Sequence, residues 1–363
     1  MKSRLRGSLL ATAIGTLLST GALAEGELTV VSWGGAYTKS QVEAHHKSFS
    51  AETGVTIRSE DYDGNIGVIR SQVESGKVTW DLVDTELAEA LLLCDEGLTE
   101  VIDHAQLPAA PDGTPATEDF LPGTLHECAV ASVIWTNIYA YDRTRFPNDQ
   151  PTTAEDFFDL EKFPGKRGLR KIAKATLEFA LIADGVEPDQ VYEVLATKDG
   201  QDRAFAKLDT IKDDIIWWET GAQPPQLLAD GEVVMSTAWN GRIFNAQVVE
   251  NKPFEIVWDG QIWDLDLWVI PKGAPNKDLA LEFLKYATST EQLAEQARWI
   301  SYGPARKSSN PLITTHAESG IQMASHMPTA PENLTRARQT DAAFWADHVV
   351  ELTERFNTWL AAQ

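Results

Sequence analysis

The sequence predicts an α/β protein of two lobes joined by two crossing strands. Three observations predict it. First, apolar, β-branched runs of strand length alternate with stretches of helical spacing, as in 28–33, 40–50, 55–59, 66–74 and 81–85. That alternation builds parallel sheets with helices on both faces. Second, two long apolar runs, 128–142 and 265–271, stand where a chain leaves one lobe and returns to it. Third, 363 residues are enough for two separate cores. Together these describe a hinged clamshell with a ligand between its halves. We divide it as 25–138 with 268–316 in one lobe and 139–267 with 317–363 in the other.

The chain opens with Lys2, Arg4 and Arg6, an apolar run from Leu9 to Leu18, and then Ala22-Leu23-Ala24. A basic head, a short apolar stretch and an A-x-A end form an export signal. We expect cleavage after Ala24 and an exported, periplasmic protein. The formal net charge is −23, and a chain cut there keeps 28 basic against 54 acidic residues. Such a balance excludes nucleic acid and anionic membrane surfaces as partners. Cys94 and Cys128 are the two cysteines, and a lone pair in an exported chain forms a disulfide. No HExxH, GxSxG or phosphate-binding glycine loop is present, and we expect no cofactor, no metal and no catalysis.

The first strand, 28–33, ends at Gly34-Gly35, a turn that lets backbone approach a ligand. Tyr37 follows it. The strand at 81–85 ends near Asp84 and Glu86. Ligands of such sheets sit beyond the carboxyl ends of the strands, which makes Trp33, Tyr37, Asp84 and Glu86 candidates. In the second half, 177–183 reads as a helix carrying Glu178, and 202–208 as another. A run from Val233 ends at Trp239-Asn240-Gly241, which puts Trp239 at a strand end. Within the return run, Asp264 and Asp266 point the same way, about 7 Å apart. Two unpaired carboxylates on a buried strand repel, and a nearby cation removes the penalty. We therefore expect a pocket for a small positively charged ligand. Trp217, Trp218, Trp258, Trp263 and Trp268 are assigned to the core, with Trp263 the best exception. Tyr302 lies on a late turn. The stripe Phe344, Trp345, Val349, Leu352 and Phe356 on the final helix reads as core.

LTVVSWGGAY, WDLVDT, FPGKRGLRK, VVMSTAWNGR, DLWVIPKGAPN and ALEFLKYATSTEQLAEQA with YGPAR are similar to segments of one family, in the same order. The chain resembles the periplasmic spermidine/putrescine-binding proteins of ABC importers, which have the type II binding-protein clamshell. The resemblance implies that aromatic residues hold the methylene chain of an amine and carboxylates hold its ammonium groups. By motif position, Trp33, Tyr37, Trp239 and Tyr302 supply the rings, and Asp266 and Glu178 the acids. It also implies a monomer that docks on an inner-membrane permease and its ATPase. Three departures stand out. Asp264 replaces a tryptophan, Ala175 replaces an acid near Glu178, and Asp84 with Glu86 replace a serine and a tyrosine.

Other solutes of the same fold stay open: a sugar, a metal-containing group or an amino-acid-like molecule. Sugar binders need no clustered acids, and the adjacent tyrosines of a ferric site are missing. The rival from another class is a secreted glycoside hydrolase, which also combines Trp platforms with paired carboxylates. Nothing in the sequence fixes a general acid for it.

Overall fold

The computed structural model describes residues 26–362. The export signal and its cleavage after Ala24 lie outside the described residues. Eight strands carry the architecture. They are β1 (Glu27–Ser32), β2 (Thr56–Asp61), β3 (Leu82–Glu86), β4 (Ala129–Asp142), β5 (Arg167–Arg170), β6 (Ile215–Trp218), β7 (Met235–Trp239) and β8 (Phe254–Val269). Their order is β2-β1-β3-β8-β4-β7-β5-β6 in one 11-stranded sheet, completed by two-residue strands. The two ends are parallel, as the strand–helix alternation predicts. The centre is antiparallel, because β4 and β8 run through both lobes in opposite directions.

β4 and β8 are the crossing strands. Thirteen of the 14 residues of β4 are buried, which explains its unbroken apolar run: both of its faces are covered. β8 begins at Phe254, eleven positions before the start that the sequence suggested. The early half was obscured by Trp258-Asp259-Gly260, where the ladder shifts. Asn137 pairs with Ile262, but Tyr139 pairs with Val257. Such a bulge bends a strand and increases its twist.

One hydrophobic core forms around Leu28, Val30, Leu82, Val130, Trp268 and Phe283. A second forms around Tyr139, Phe157, Phe179, Leu195, Trp345 and Phe356. The final helix, Ala342–Ala361, is capped by the Asp341 side chain and gives Phe344, Trp345, Leu352 and Phe356 to the second core. Val349 does not join that stripe and is 45% exposed. Cys94 and Cys128 form a disulfide with Cα atoms 5.7 Å apart. It ties the helix Leu87–Asp95 to the start of β4.

After β7, Asn240-Gly241 starts a helix, Asn240–Val248, instead of turning the chain. Asn-Gly is a strong local turn signal. Here tertiary bonds override it: Asn240 Oδ1 accepts the Thr136 amide at 3.1 Å, and its Nδ2 donates to the Ser301 carbonyl at 2.5 Å.

Candidate functional site

The carboxyl ends of β1 and β3 from one lobe meet those of β5, β6 and β7 from the other. Between them lies a small cavity. Its wall is Trp33, Tyr37, Glu86, Trp135, Trp239, Arg242, Asp266 and Tyr302. Six of the nine expected site residues are therefore brought together: Trp33, Tyr37, Glu86, Trp239, Asp266 and Tyr302.

Each is held by a local device. Gly34 and Gly35 both have positive φ, 72° and 59°, so the chain reverses after β1 and starts the helix Gly35–Gln41. That turn puts Trp33 and Tyr37 on the same wall. Trp239 ends β7 and packs edge-on against Trp33, Trp135 and Trp218, with ring centroids 6.4, 5.8 and 5.9 Å away. Tyr37 and Tyr302 lie 5.4 Å apart. Gly241 has no room for a side chain: a Cβ there would stand 2.6 Å from Ile300 Cγ1 and 2.6 Å from Tyr302 Cε1. The three residues Trp239-Asn240-Gly241 thus supply a ring, an anchor and a gap.

Four carboxylates are buried in or beside the cavity: Asp84, Glu86, Asp264 and Asp266, none more than 4% exposed. Their environments differ. Asp84 lies behind Tyr37, whose hydroxyl donates to its Oδ2 at 2.8 Å, and Gln41 donates to the same oxygen. Burial pushes the Asp84 carboxyl up to about 7. Burial also acts on Glu86, but the Lys174 and Arg170 cations overcome it and hold that carboxyl below its ordinary value. Lys174 is ion-paired with Glu86, and Arg170 Nη1 is 3.8 Å from it. Asp264 is raised to about 7 by burial, and Lys174 opposes the rise from 3.9 Å. Asp266 is pushed well above the carboxylate range by burial and by the charges of Asp84, Glu86 and Asp264.

Residues 44–329 match a family described as bacterial extracellular solute-binding protein. The chain belongs to that family. It is 46% identical over 334 residues to the gamma-aminobutyric acid-binding protein of Pseudomonas aeruginosa, covering 92% of this chain and 91% of that one. A solved GABA receptor is 32% identical, with a TM-score of 0.77 over 93% of this chain and 98% of its own. The putrescine-binding periplasmic protein of Escherichia coli is more distant, at 22% identity over 330 residues, covering 85% and 84%. The two-lobed fold and the absence of an enzymatic role in the family agree with the sequence. Solute-binding proteins of ABC importers bind a small ligand outside the membrane and work with a permease and an ATPase.

In this solute-binding protein three expected residues stand apart from the wall. Asp84 is screened by Tyr37. Asp264 is turned to Lys174 and to its neighbour's backbone, accepting the Leu265 amide at 2.8 Å. Glu178 corrects a motif-based expectation. It is fully buried in the second core, where Trp345 Nε1 donates to it at 2.7 Å and the Tyr192 hydroxyl at 3.2 Å. It does not line the cavity. Trp263 keeps its assignment to the core: it packs against the first core on the opposite side of β8, among Leu121, Pro122, Ile134 and Leu265.

Sequence reasoning missed the cations and one ring. Arg242 lines the cavity from the helix Asn240–Val248 and bonds across the cleft. Its Nη1 donates to the Gly34 carbonyl at 2.7 Å and its Nη2 to the Trp33 carbonyl at 3.3 Å. The guanidinium carries five donors, and its Nε is buried with no protein partner. The indole N–H groups of Trp33, Trp135 and Trp239 are buried without partners as well. Trp135 faces the cavity from β4, where the unbroken apolar run hid it. Arg242 was legible only as part of AWNGR, next to a ring already chosen. The wall therefore offers a carboxylate on one side, hydrogen-bond donors on the other, and aromatic faces between them.

Proposed function

We propose that this solute-binding protein takes a short ω-amino acid of the γ-aminobutyrate type and delivers it to an ABC permease. One observation carries the reading: Asp266 and Arg242 line the same small cavity. An ammonium set against Asp266 relieves the repulsion among the four acids. A carboxylate set against Arg242 meets a planar fork whose geometry matches it. The methylenes between lie against Tyr37, Tyr302, Trp135 and Trp239, and a ring face near an ammonium adds to the binding. The 46% identical relative is named for gamma-aminobutyric acid, which supports the same ligand class.

The diamine or polyamine reading shares the Asp266 end. It differs at the other end, where a second cation would meet the Arg242 guanidinium or the Lys174 ammonium instead of a free carboxylate. Calorimetry separates the two. γ-Aminobutyrate, 5-aminopentanoate, putrescine, spermidine and maltose are titrated into the protein expressed without residues 1–24. The reading expects the two amino acids to bind and the amines to bind weakly or not at all. Tight binding of putrescine with no heat from γ-aminobutyrate overturns it.

A further inference from the structure

Lys174 is absent from the cavity wall, yet it reaches two of the four acids in or beside the cavity, Glu86 and Asp264, and Glu89 beyond them. It stands between β5 and the helix Thr176–Ala183 and crosses the cleft to the other lobe. Its ammonium is ion-paired with Glu86, 3.7 Å from Glu89 Oε1 and 3.9 Å from Asp264 Oδ2. The side chain is 16% exposed. Ala175, the next residue, has φ of 67°, a left-handed conformation that a residue with a Cβ rarely adopts. The turn that aims Lys174 into the acids is therefore held against its own backbone preference.

The acids around Lys174 form a ready site for an alkylammonium. Glu86 faces the cavity with one side and Lys174 with the other. Asp266 stands opposite Glu86 in the strand pairing and, among the described residues, has no cationic partner. Glu89 Oε2 and Asp84 Oδ1 are buried without partners. A molecule with two ammonium groups would find carboxylates for both, one at Asp266 and one at Glu86, Glu89 and Asp264. The second position is already filled by an ammonium that the protein supplies on a four-carbon stem.

We propose that Lys174 is a specificity-determining residue, a tethered ammonium that holds the place of the far ammonium of a diamine and so turns the site toward ligands with a single ammonium. The proposal rests on the amino-acid reading of the cavity. Charge explains the discrimination: with Lys174 present, a second cation meets like charge, and like-charge juxtaposition is a strong element of negative selection. Burial would lower a lone lysine, but the three acids hold the Lys174 ammonium above its ordinary range and keep it charged. A neutral ligand tail or a carboxylate does not meet this repulsion.

The test replaces Lys174 and measures diamines. Lys174→Met keeps the apolar stem and removes the charge. Putrescine and cadaverine are titrated by calorimetry into the wild type and the variant, with γ-aminobutyrate in parallel. The expected result is that diamine affinity rises roughly tenfold or more in the variant, while Lys174→Arg, which keeps the cation, shows no rise. Circular dichroism checks folding. Where the methionine variant does not fold, Lys174→Gln, which retains a donor to Glu86 without charge, replaces it. A folded uncharged variant whose diamine affinity equals that of the wild type overturns the proposal. The wild-type γ-aminobutyrate titration reports separately on the amino-acid reading, since it does not involve the variant.

Discussion

Glu86 and Asp266 stand directly opposite each other in the antiparallel pairing of β3 with β8. Both are 4% exposed. Like charges at such positions repel, and the two sites resolve this differently. Glu86 has Lys174 and Arg170 across the cleft. Asp266 has no protein cation among the described residues and faces the cavity. In the proposed function the ammonium of a ligand is the missing partner, and the cost of removing Asp266's charge measures that role.

Asp266→Asn is expected to weaken γ-aminobutyrate binding by about 2–5 kcal/mol, the range for truncating one partner of a buried charge pair. Glu255→Gln is the control. Glu255 is partly exposed and paired with Arg143 at 3.0 Å on the surface, where ion pairs contribute little. Calorimetry on both variants checks the contrast, and equal affinities would take Asp266 out of the site.

The raised carboxyls also set a pH dependence. Asp84 and Asp264 titrate near 7 in the folded protein against an ordinary value of 3.8. Acids raised by folding favour the protonated fold. Their contribution to stability is complete below 3.8 and is lost as pH rises through about 7. The ligand-free melting temperature should therefore fall between pH 5 and pH 8. An alkylammonium stays charged throughout this range and sets its charge against Asp266, whose carboxyl is pushed well above the ordinary range by burial and its acidic neighbours. Affinity should rise over the same interval, and binding should release protons. Calorimetry in buffers of different ionisation enthalpy counts those protons, and uptake instead of release would contradict the assignment.

Glu178 makes a separate prediction because it is buried away from the ligand. Burial pushes its carboxyl to about 7 against an ordinary 4.5. Its Oε1 accepts from Trp345 and Tyr192, while Oε2 has no partner. Glu178→Gln keeps the accepting oxygen and removes the charge that high pH forces on it. The variant should match the wild type near pH 4.5 and melt at a higher temperature at pH 8. Its affinity for γ-aminobutyrate should be unchanged. A large loss of affinity would restore the role that its motif position suggested.

The disulfide should matter to stability and not to recognition. Cys94 and Cys128 close a loop of 34 positions, worth about 4 kcal/mol on the chain-entropy model. Reduction should lower the melting temperature by several degrees while leaving the affinity at 25 °C intact. Differential scanning calorimetry with and without reductant reads the first, and a ligand titration under reductant reads the second.

Much of the fold was legible because strands buried on both faces leave unbroken apolar runs, as in β4, and because helices carry their caps, as at Asp341. The aromatic half of the site was legible for a related reason: Trp33, Trp239 and Tyr302 stand at element ends or turns, where large rings have few other uses. The cations were not. Lys174 and Arg242 lie far from the acids in sequence, and nothing local says which of the 31 basic residues will cross the cleft. Without them an acid-rich strand pointed to a small cation, and with them the proposed ligand carries a carboxylate as well. Glu178 failed for the opposite reason. Its motif position matched, but Trp345 and Tyr192, which claim it, come from elements whose packing the sequence does not display.

Gly241 tests whether the wall must be as tight as it is. A methyl group there would stand 2.6 Å from Ile300 and Tyr302 side-chain atoms, far inside contact distance. Either Tyr302 moves or the helix Asn240–Val248 backs away. The helix start is pinned by Asn240 to the Ser301 carbonyl and the Thr136 amide, so the ring is the part that yields. Tyr302 packs on Tyr37, whose hydroxyl holds Asp84, and its displacement opens the floor of the cavity. Gly241→Ala should therefore cost about 1–3 kcal/mol of stability, as overpacking does, and lose affinity for γ-aminobutyrate as well. Combining it with Tyr302→Phe should not restore either, because the clash is with the ring and not the hydroxyl. Tyr302→Leu, which removes the ring edge but leaves Ile300 in place, should recover part of the stability but not the affinity. Thermal melts and titrations of the four proteins distinguish these outcomes, and recovery of affinity in the leucine double variant would show that the ring at Tyr302 is not part of the binding wall.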